Sequence, residues 1–291
     1  KGRYMNAILT VFTPTYNRCH LLPKLYHSLC EQTLKDFIWL VVDDGSSDNT
    51  QEIVDIWKRE KNISIEYVRQ VNQGKSEAFN TGIKATRTEL FTCVDSDAYL
   101  IPDAVEIIIN EWDRCKNECI GILCLREVSI VPENIRSEIF DTTLIDAYRV
   151  YGLCGDTMLI HKSEFLKKYE FPKYPGEKFV PEDYLYDKLD QDGKMRFLNK
   201  VLYRGTYIEG GYTRHMAKLI KDNPQGYNDY ITQRLKIDKT LKYKILDTIK
   251  HIAIKKVLDA QGTKIPCVYP LLHYVLYPFG VLLYILRYKN I

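Results

Sequence analysis

Residues Leu90 to Val105, LFTCVDSDAYLIPDAV, decide the fold. An apolar run of strand type stops at Asp95-Ser96-Asp97, and Pro102 then opens PDAVEIIINEWDRCK, whose apolar residues recur at helical spacing. A strand passing into a helix through an acidic turn is one βα unit. Two carboxylates this close repel each other, a cost that is offset where they hold a hard cation. The same residue types also serve as plain turn and cap residues. The neighbouring units have to choose between these readings.

Upstream, the pattern repeats. AILTVFTP (7–14), DFIWLVVDD (36–44) and ISIEYVRQ (63–70) read as strands. HLLPKLYHSLCEQ (20–32), DNTQEIVDIWKRE (48–60) and KSEAFNTGIKAT (75–86) read as helices, the second with Asp48 and Gln51 as a capping box. Strand and helix alternating at this spacing predict a mostly parallel sheet with helices on both faces. Ligands of such sheets bind beyond the carboxyl ends of the strands. Those ends carry TPTYN (13–17), VVDDGSSD (41–48), RQVNQGKS (69–76) and VDSD (94–97). Four polar, acidic or glycine-containing turns on one rim point to a site.

The 291 residues suit one large domain, or one domain with an appendage. With 45% hydrophobic and 27% charged residues, the composition is globular and excludes a disordered chain. The net charge is +3, but residues 236–291 alone carry +7, which leaves −4 on the rest. A mildly acidic body with a basic tail implies an anionic partner for the tail. The eight cysteines show no C-x-x-C spacing, and Cys93 and Cys124 sit in apolar patterns, so a reducing cytosol and no zinc site are expected. KGRYMNAILTV has no signal-peptide core, and Met5 reads as the natural start. Neither G-x-G-x-x-G nor G-x-x-x-x-G-K-[ST] follows the first strand, so any nucleotide is not held mainly by a glycine cradle. Acidic residues would repel its phosphates unless Asp97 recruits a bridging divalent metal.

In order and separation, TVFTPTYNR, QTLKDFIWLVVDDGSSDNT, NQGKSEAFNTGI and LFTCVDSDAYLIPDAV resemble the opening motifs of family 2 nucleotide-sugar glycosyltransferases of the GT-A fold, of the bacterial polysaccharide-biosynthesis type. The resemblance covers residues 7–125 most strongly. It implies a GT-A domain over 5–235, with a nucleotide-sugar-binding half (7–125) and an acceptor and catalytic half (126–235), followed by a helical tail over 236–291. Pro14, Thr15, Tyr16 and Asn17 would flank the nucleotide base, and Asp43 would accept from the base imide N–H, with Asp44 supporting the turn. Asn72, Gly74 and Lys75 would close the other side of base and ribose. Asp95 and Ser96 would face the ribose or metal-bound water, and Asp97 would ligate Mn²⁺ or Mg²⁺ on the pyrophosphate.

The segment 151–189 resembles the acceptor side of the same subgroup. Its VPED places Glu182 and Asp183 at a helix start, where the family's Glu-Asp motif implies Asp183 as the base and Glu182 as its positioner, the exchanged assignment being the alternative. In YIEGGYTRHMAKLIKDNPQGY (207–227), His215 is the expected third metal or pyrophosphate ligand, with Arg214 or Lys218 as alternative phosphate partners.

The tail combines a lysine-rich amphipathic run, LKIDKTLKYKILDTIKHIAIKKVLDA, with CVYPLLHYVLYPFGVLLYILRYKN, which holds five tyrosines and ends in basic residues. Pro270, Pro278 and His273 interrupt it, so helices lying in a membrane surface are expected rather than a span. The alternative is a helical pair packing on the protein or on a dimer mate. No aromatic–basic nucleic-acid motif is present, so no nucleic acid is expected. The function implied is an inverting, metal-dependent transfer of a sugar, from a nucleotide-sugar donor expected to be a UDP-sugar to a lipid-linked saccharide, at the cytoplasmic membrane face, in capsule, exopolysaccharide or lipopolysaccharide assembly. The alternatives are a nucleotidyltransferase and a non-catalytic sugar-binding scaffold.

Overall fold

A computed structural model describes residues 7–136, 139–205 and 215–289. The chain divides into two compact units, Lys1–Glu170 with Tyr186–Tyr207, and Phe171–Leu185 with Ile208–Ile291.

The first unit alternates as its apolar periodicity dictates. Its opening elements are β1 (Leu9–Thr15), α1 (Leu22–Cys30), β2 (Phe37–Asp43), α2 (Thr50–Glu60), β3 (Ser64–Arg69), α3 (Lys75–Ala85) and β4 (Leu90–Cys93). Then follow β5 (Ala98–Leu100), α4 (Ala104–Cys115), β6 (Gly121–Arg126), β7 (Phe140–Thr142), α5 (Leu144–Arg149), β8 (Thr157–Lys162) and α6 (Ser163–Leu166). The helix α7 (Asp183–Leu189) contains the boundary between the units, and β9 (Met195–Gly205) completes the sheet. The strand order is β3-β2-β1-β4-β8-β6-β9-β5, with β7 also on β9. The pairs β1–β2, β1–β4, β2–β3 and β6–β9 are parallel, while β8, β5 and β7 pair antiparallel. The α/β architecture expected from the sequence, a central sheet flanked by helices, is the one observed, with β1 to β4 parallel and antiparallel strands added beyond β4.

Both faces of the central strands are buried, as parallel strands covered by helices require. On one face Leu9 and Val11 join a core with Leu25 of α1, Trp57 of α2, and Ile108 and Trp112 of α4. On the other, Phe12 meets Phe79 of α3 edge-on at 4.9 Å and stacks on Phe91 at 5.2 Å. Each such fully buried aromatic contributes about 1.5–3 kcal/mol.

Two local expectations change. The turn after Asp97 does not open directly on a helix: β5 intervenes and pairs with β9, because Ala98 and Leu100 are buried and take ladder bonds there. The Asp48–Gln51 capping box is replaced by a different arrangement. The N-cap position of α2 is Asn49, and Asp48 instead accepts from Thr50 N–H (3.1 Å) and Cys19 N–H (2.9 Å). The backbone of the β1–α1 loop thus takes the acceptor that a box would have used.

The second unit contains α8 (Met216–Asp222), α9 (Pro224–Ile237), α10 (Leu241–Ala260) and α11 (Pro270–Tyr284), which runs on into a π-helical turn, Ile285–Lys289. Helices α10 and α11 pack closely: a Cβ on Gly280 would lie 2.3 Å from Ile252, so only glycine permits that approach. The opposite side of α11 is bare, with Leu271, Tyr274, Val275, Phe279 and Leu282 all exposed, and Leu286 of the π-helical turn is exposed as well. Pro270–Lys289, 20 residues with mean hydropathy 1.3, has the length and composition to cross a bilayer.

Candidate active site

The carboxyl ends of β1, β2, β3 and β4 lie on one rim of the first unit, since those strands are mutually parallel and adjacent. The loops there are stitched together by side chains. Asp44 is buried and accepts three hydrogen bonds, from Gln70 Nε2 (2.8 Å), Gln73 N–H (2.9 Å) and Gly74 N–H (2.8 Å). Gly74 has φ +91°, a conformation that favours glycine, and presents its N–H to that carboxylate just before α3. Asn17 adopts φ +53°; its N–H donates to Ser46 Oγ (2.8 Å) and its Oδ1 accepts from Ser47 N–H (2.7 Å).

The expected base-side residues divide by exposure. Tyr16 is 48% exposed, while Thr15 is buried with its hydroxyl lacking a hydrogen-bond partner. Pro14 lies within β1, opposite Val42 of β2. Asp43 is only 1% exposed, and its oxygens accept from Ser46 N–H (2.8 Å) and the Tyr67 hydroxyl (2.5 Å). Asn72 lies in the loop before Gly74.

The acidic turn is built into a charge network. Lys75, the first residue of α3, donates Nζ to Asp95 Oδ1 at 2.7 Å. The Tyr203 hydroxyl on β9 donates to Asp95 Oδ2 (3.1 Å) and accepts the Asp95 N–H (3.2 Å). The Arg126 guanidinium covers the Tyr203 ring at 4.8 Å and pairs with Asp156 at 2.9 Å. Burial alone would raise the Asp95 pKa, but the charges of Lys75 and Arg126 and the Tyr203 hydroxyl hold it below the usual carboxylate range. Asp97 goes the other way. Burial and then the Asp95 charge push its carboxyl up, against the Arg18 guanidinium at 3.5 Å. Arg18 also donates to Ser96 Oγ at 3.4 Å, and Ser96 is buried.

This geometry tests whether a divalent cation fits. Among the described residues no three His, Cys, Asp or Glu side chains cluster as a ligand set. Asp95 and Asp97 remain as two carboxylates on one turn, the first bonded to Lys75 and Tyr203 and the second beside Arg18, and one or two carboxylates are what Mg²⁺-type sites use when substrate phosphates supply the rest. The pair fits such an ion.

The second unit holds the other expected residues. Asp183 is half exposed, and its Oδ2 accepts from the Tyr230 hydroxyl (3.2 Å) and Arg234 Nη2 (3.3 Å), both on α9. The Arg234 guanidinium also lies 4.9 Å from the Tyr230 ring centroid. Glu182 precedes it at the helix start, with its carbonyl accepting from Leu185 N–H. His215 is exposed at the N-cap of α8, and Lys218 pairs with Asp222 at 3.0 Å. Arg214 lies outside the described residues.

Sequence reasoning missed Arg18, Tyr203, Arg126 and Arg234. Arg18 directly follows TPTYN and its charge was a usable signal. The other three arrive through strand pairing and helix packing, and no local pattern marks them.

The sequence profile described as "Glycosyl transferase family 2" matches residues 10–161, just over half of the chain. An uncharacterized glycosyltransferase of Rickettsia felis is 35% identical over 99 residues, 34% of this chain and 16% of that protein. The uncharacterized glycosyltransferase EpsJ of Bacillus subtilis is 32% identical over 118 residues, 40% of this chain and 34% of that protein. The chondroitin synthase of Pasteurella multocida is 24% identical over 206 residues, 67% of this chain and 20% of the synthase. The matches thus span between 16% and 35% of the length of the first four curated relatives. Among solved structures, S. aureus TarS 1-349 in complex with UDP-GlcNAc has TM-score 0.63 at 19% identity, covering 95% of this chain and 89% of that one. The mannosyltransferase PcManGT of Pyrobaculum calidifontis, in complex with GDP-Man and Mn²⁺, has TM-score 0.56 at 18% identity, covering 97% and 81%. Both share the fold.

Proposed function

The chain belongs to glycosyl transferase family 2, and on that premise we propose that it moves a sugar from a nucleotide-sugar donor to a hydroxyl of a saccharide acceptor, with inversion. The observation that carries this reading is the acidic turn held between two cations at the rim of four parallel strands, Asp95 with Lys75 and Asp97 with Arg18. The UDP-GlcNAc complex of TarS and the chondroitin synthase match support a UDP-sugar donor and a role in polysaccharide synthesis.

Asp97, with Asp95, would hold Mn²⁺ or Mg²⁺, which when bound neutralises charge on the departing diphosphate. The Mn²⁺ complex of PcManGT supports that assignment. Arg18 and Lys75 put two further positive charges at the same turn, suited to phosphate oxygens. The exposed Tyr16 and the Asn17 loop offer a surface for the base, with Thr15, Asp43, Asn72 and Gly74 behind it. Asp183 is our base. Tyr230 and Arg234 fix its Oδ2, and Oδ1 is the atom we assign to take the acceptor proton. As that proton leaves, the acceptor oxygen bonds to the anomeric carbon and the bond to the diphosphate breaks, a single displacement that inverts the centre. Glu182 and His215 stay assigned to acceptor positioning and to metal or pyrophosphate contact.

For the tail we propose peripheral attachment to an anionic membrane surface at the cytoplasmic face, bringing the enzyme to a lipid-linked acceptor. The bare apolar side of α11 and the surplus of Lys and Arg support it. Thermal stabilisation by UDP-, GDP- and dTDP-sugars with Mn²⁺, followed by donor hydrolysis, tests the reading. Absence of stabilisation by every nucleotide sugar would overturn it.

A further inference from the structure

The second unit contains a cavity of about 420 Å³ lined by Lys244 of α10 and by Tyr269, Pro270, Leu271, Leu272 and Val275 at the start of α11. That volume lies within the range of small-ligand pockets. Its chemistry is one-sided: the surface it exposes is wholly apolar, Lys244 contributing its methylene stem, while the Lys244 ammonium lies 5.5 Å from the Tyr269 ring centroid. A soluble metabolite with several polar groups would be dehydrated there without compensating partners. A hydrocarbon chain would not.

The wall of the cavity is also the start of an open surface. Leu271 and Val275 line it, yet they are 79% and 59% exposed, and the stripe they begin continues along one side of α11 through Leu282 and on to Leu286 in the π-helical turn. At its far end lie Arg287 and Lys289, and Lys239 and Lys242 precede Lys244. From 236 to 289 ten Lys or Arg face three Asp. An apolar stripe, a cavity opening from it and a cationic border complement one kind of partner, an anionic lipid.

We propose that this cavity takes up a single hydrocarbon chain of an anionic lipid from the bilayer, with the lipid phosphate on the Lys244 ammonium. The inference deepens the membrane reading of the tail and rests on it. The stripe gives non-specific partition into the interface, and the cavity adds one bound lipid per chain. Partition scales with exposed apolar area and is indifferent to which residue supplies it, whereas uptake of a chain requires the cavity to stay empty of protein atoms.

The test uses the full chain with lysophosphatidylglycerol and lysophosphatidylcholine below their micelle concentrations, read by calorimetry. Sedimentation with vesicles of an equimolar phosphatidylcholine–phosphatidylglycerol mixture is measured in parallel. Wild type should bind lysophosphatidylglycerol with a stoichiometry of one. Lys244→Ala should weaken that binding roughly fivefold, the effect of one basic residue at an anionic surface, and weaken lysophosphatidylcholine less, because its choline cation offsets the same phosphate. Val275→Trp fills the cavity from an exposed position while adding apolar surface. It should abolish uptake of both lysolipids yet still sediment with vesicles, and UDP calorimetry should be unaltered in both variants. Wild-type sedimentation without lysolipid uptake, or uptake undiminished by Val275→Trp, overturns the cavity assignment and leaves the membrane reading standing. Failure of wild type to sediment overturns the membrane reading itself. A dimer in light scattering that Val275→Trp dissociates, with no lipid bound, assigns the face to a second copy and also overturns the proposal.

Discussion

Replacing His161 by phenylalanine should remove a defined part of the protein's sensitivity to acid. His161 lies on β8, paired with Phe91 of β4 and Gly121 of β6, and is 4% exposed. Neither ring nitrogen has a hydrogen-bond partner, and the ring stacks on Tyr186 at 5.5 Å. Burial pushes its pKa down from 6.5 to about 3. The folded protein therefore holds the imidazole neutral, while the unfolded chain takes up a proton below pH 6.5. The associated stability is fully present above that pH and is lost as pH falls from 6.5 towards 3. At pH 5, 1.5 pH units below the unfolded value, the loss is about 2 kcal/mol, at 1.36 kcal/mol per unit. For a domain of this size that lowers the melting temperature by about 4–8 °C. Urea unfolding of wild type and His161→Phe at pH 7.5 and pH 5.0 isolates the effect, because other titrating groups such as Asp190, whose pKa burial raises to about 7, act in both proteins. The variant should lose about 2 kcal/mol less than wild type over that interval. Equal losses would refute the assignment of a neutral, unpartnered imidazole.

Three further outcomes concern the site. Asp97→Ala should remove most Mn²⁺-dependent UDP affinity in calorimetry, and a folded variant with unchanged affinity would exclude Asp97 as a ligand. Arg18→Gln removes the cation that competes for Asp97, so Mn²⁺ alone should bind more tightly while UDP binds more weakly; loss of both would mean that Arg18 mainly organises the turn. Asp183→Asn should keep donor binding and reduce turnover by about two to four orders of magnitude. Near-normal turnover would transfer the role to Glu182, to be checked with Glu182→Gln.

The parts of the fold that were legible in sequence are those with local causes. Strands β1 to β4 and helices α1 to α4 follow from runs of apolar residues at two spacings, and their shared rim follows from parallel pairing. Asp95, Ser96 and Asp97 stood out because a strand ended on them. What stayed hidden has non-local causes. Strand β5 is three residues long and exists because β9 pairs with it, and Tyr203 reaches Asp95 across 108 positions of chain. The Asp48 carboxylate, which suited a capping box by spacing, is claimed by the Cys19 amide from another loop. Arg234 meets Asp183 from 51 residues downstream. Local pattern cannot rank such competitors, since what decides is which donor the tertiary structure delivers.

The clamp of Tyr203 on Asp95 has a consequence for the order in which the protein becomes competent. During vectorial synthesis residues 10–161 emerge before β9, and without β9 the strand β5 has no pairing partner. The nascent chain can then assemble β1 to β4 and bury its central core, yet the acidic turn still lacks the hydroxyl that fixes both its backbone and its carboxylate. Closing that long loop is the slow, entropically costly kind of step. The acidic turn is thus finished last in a sheet whose first strand is made early, and a growing chain fixes Asp95 in place only after β9 has left the ribosome.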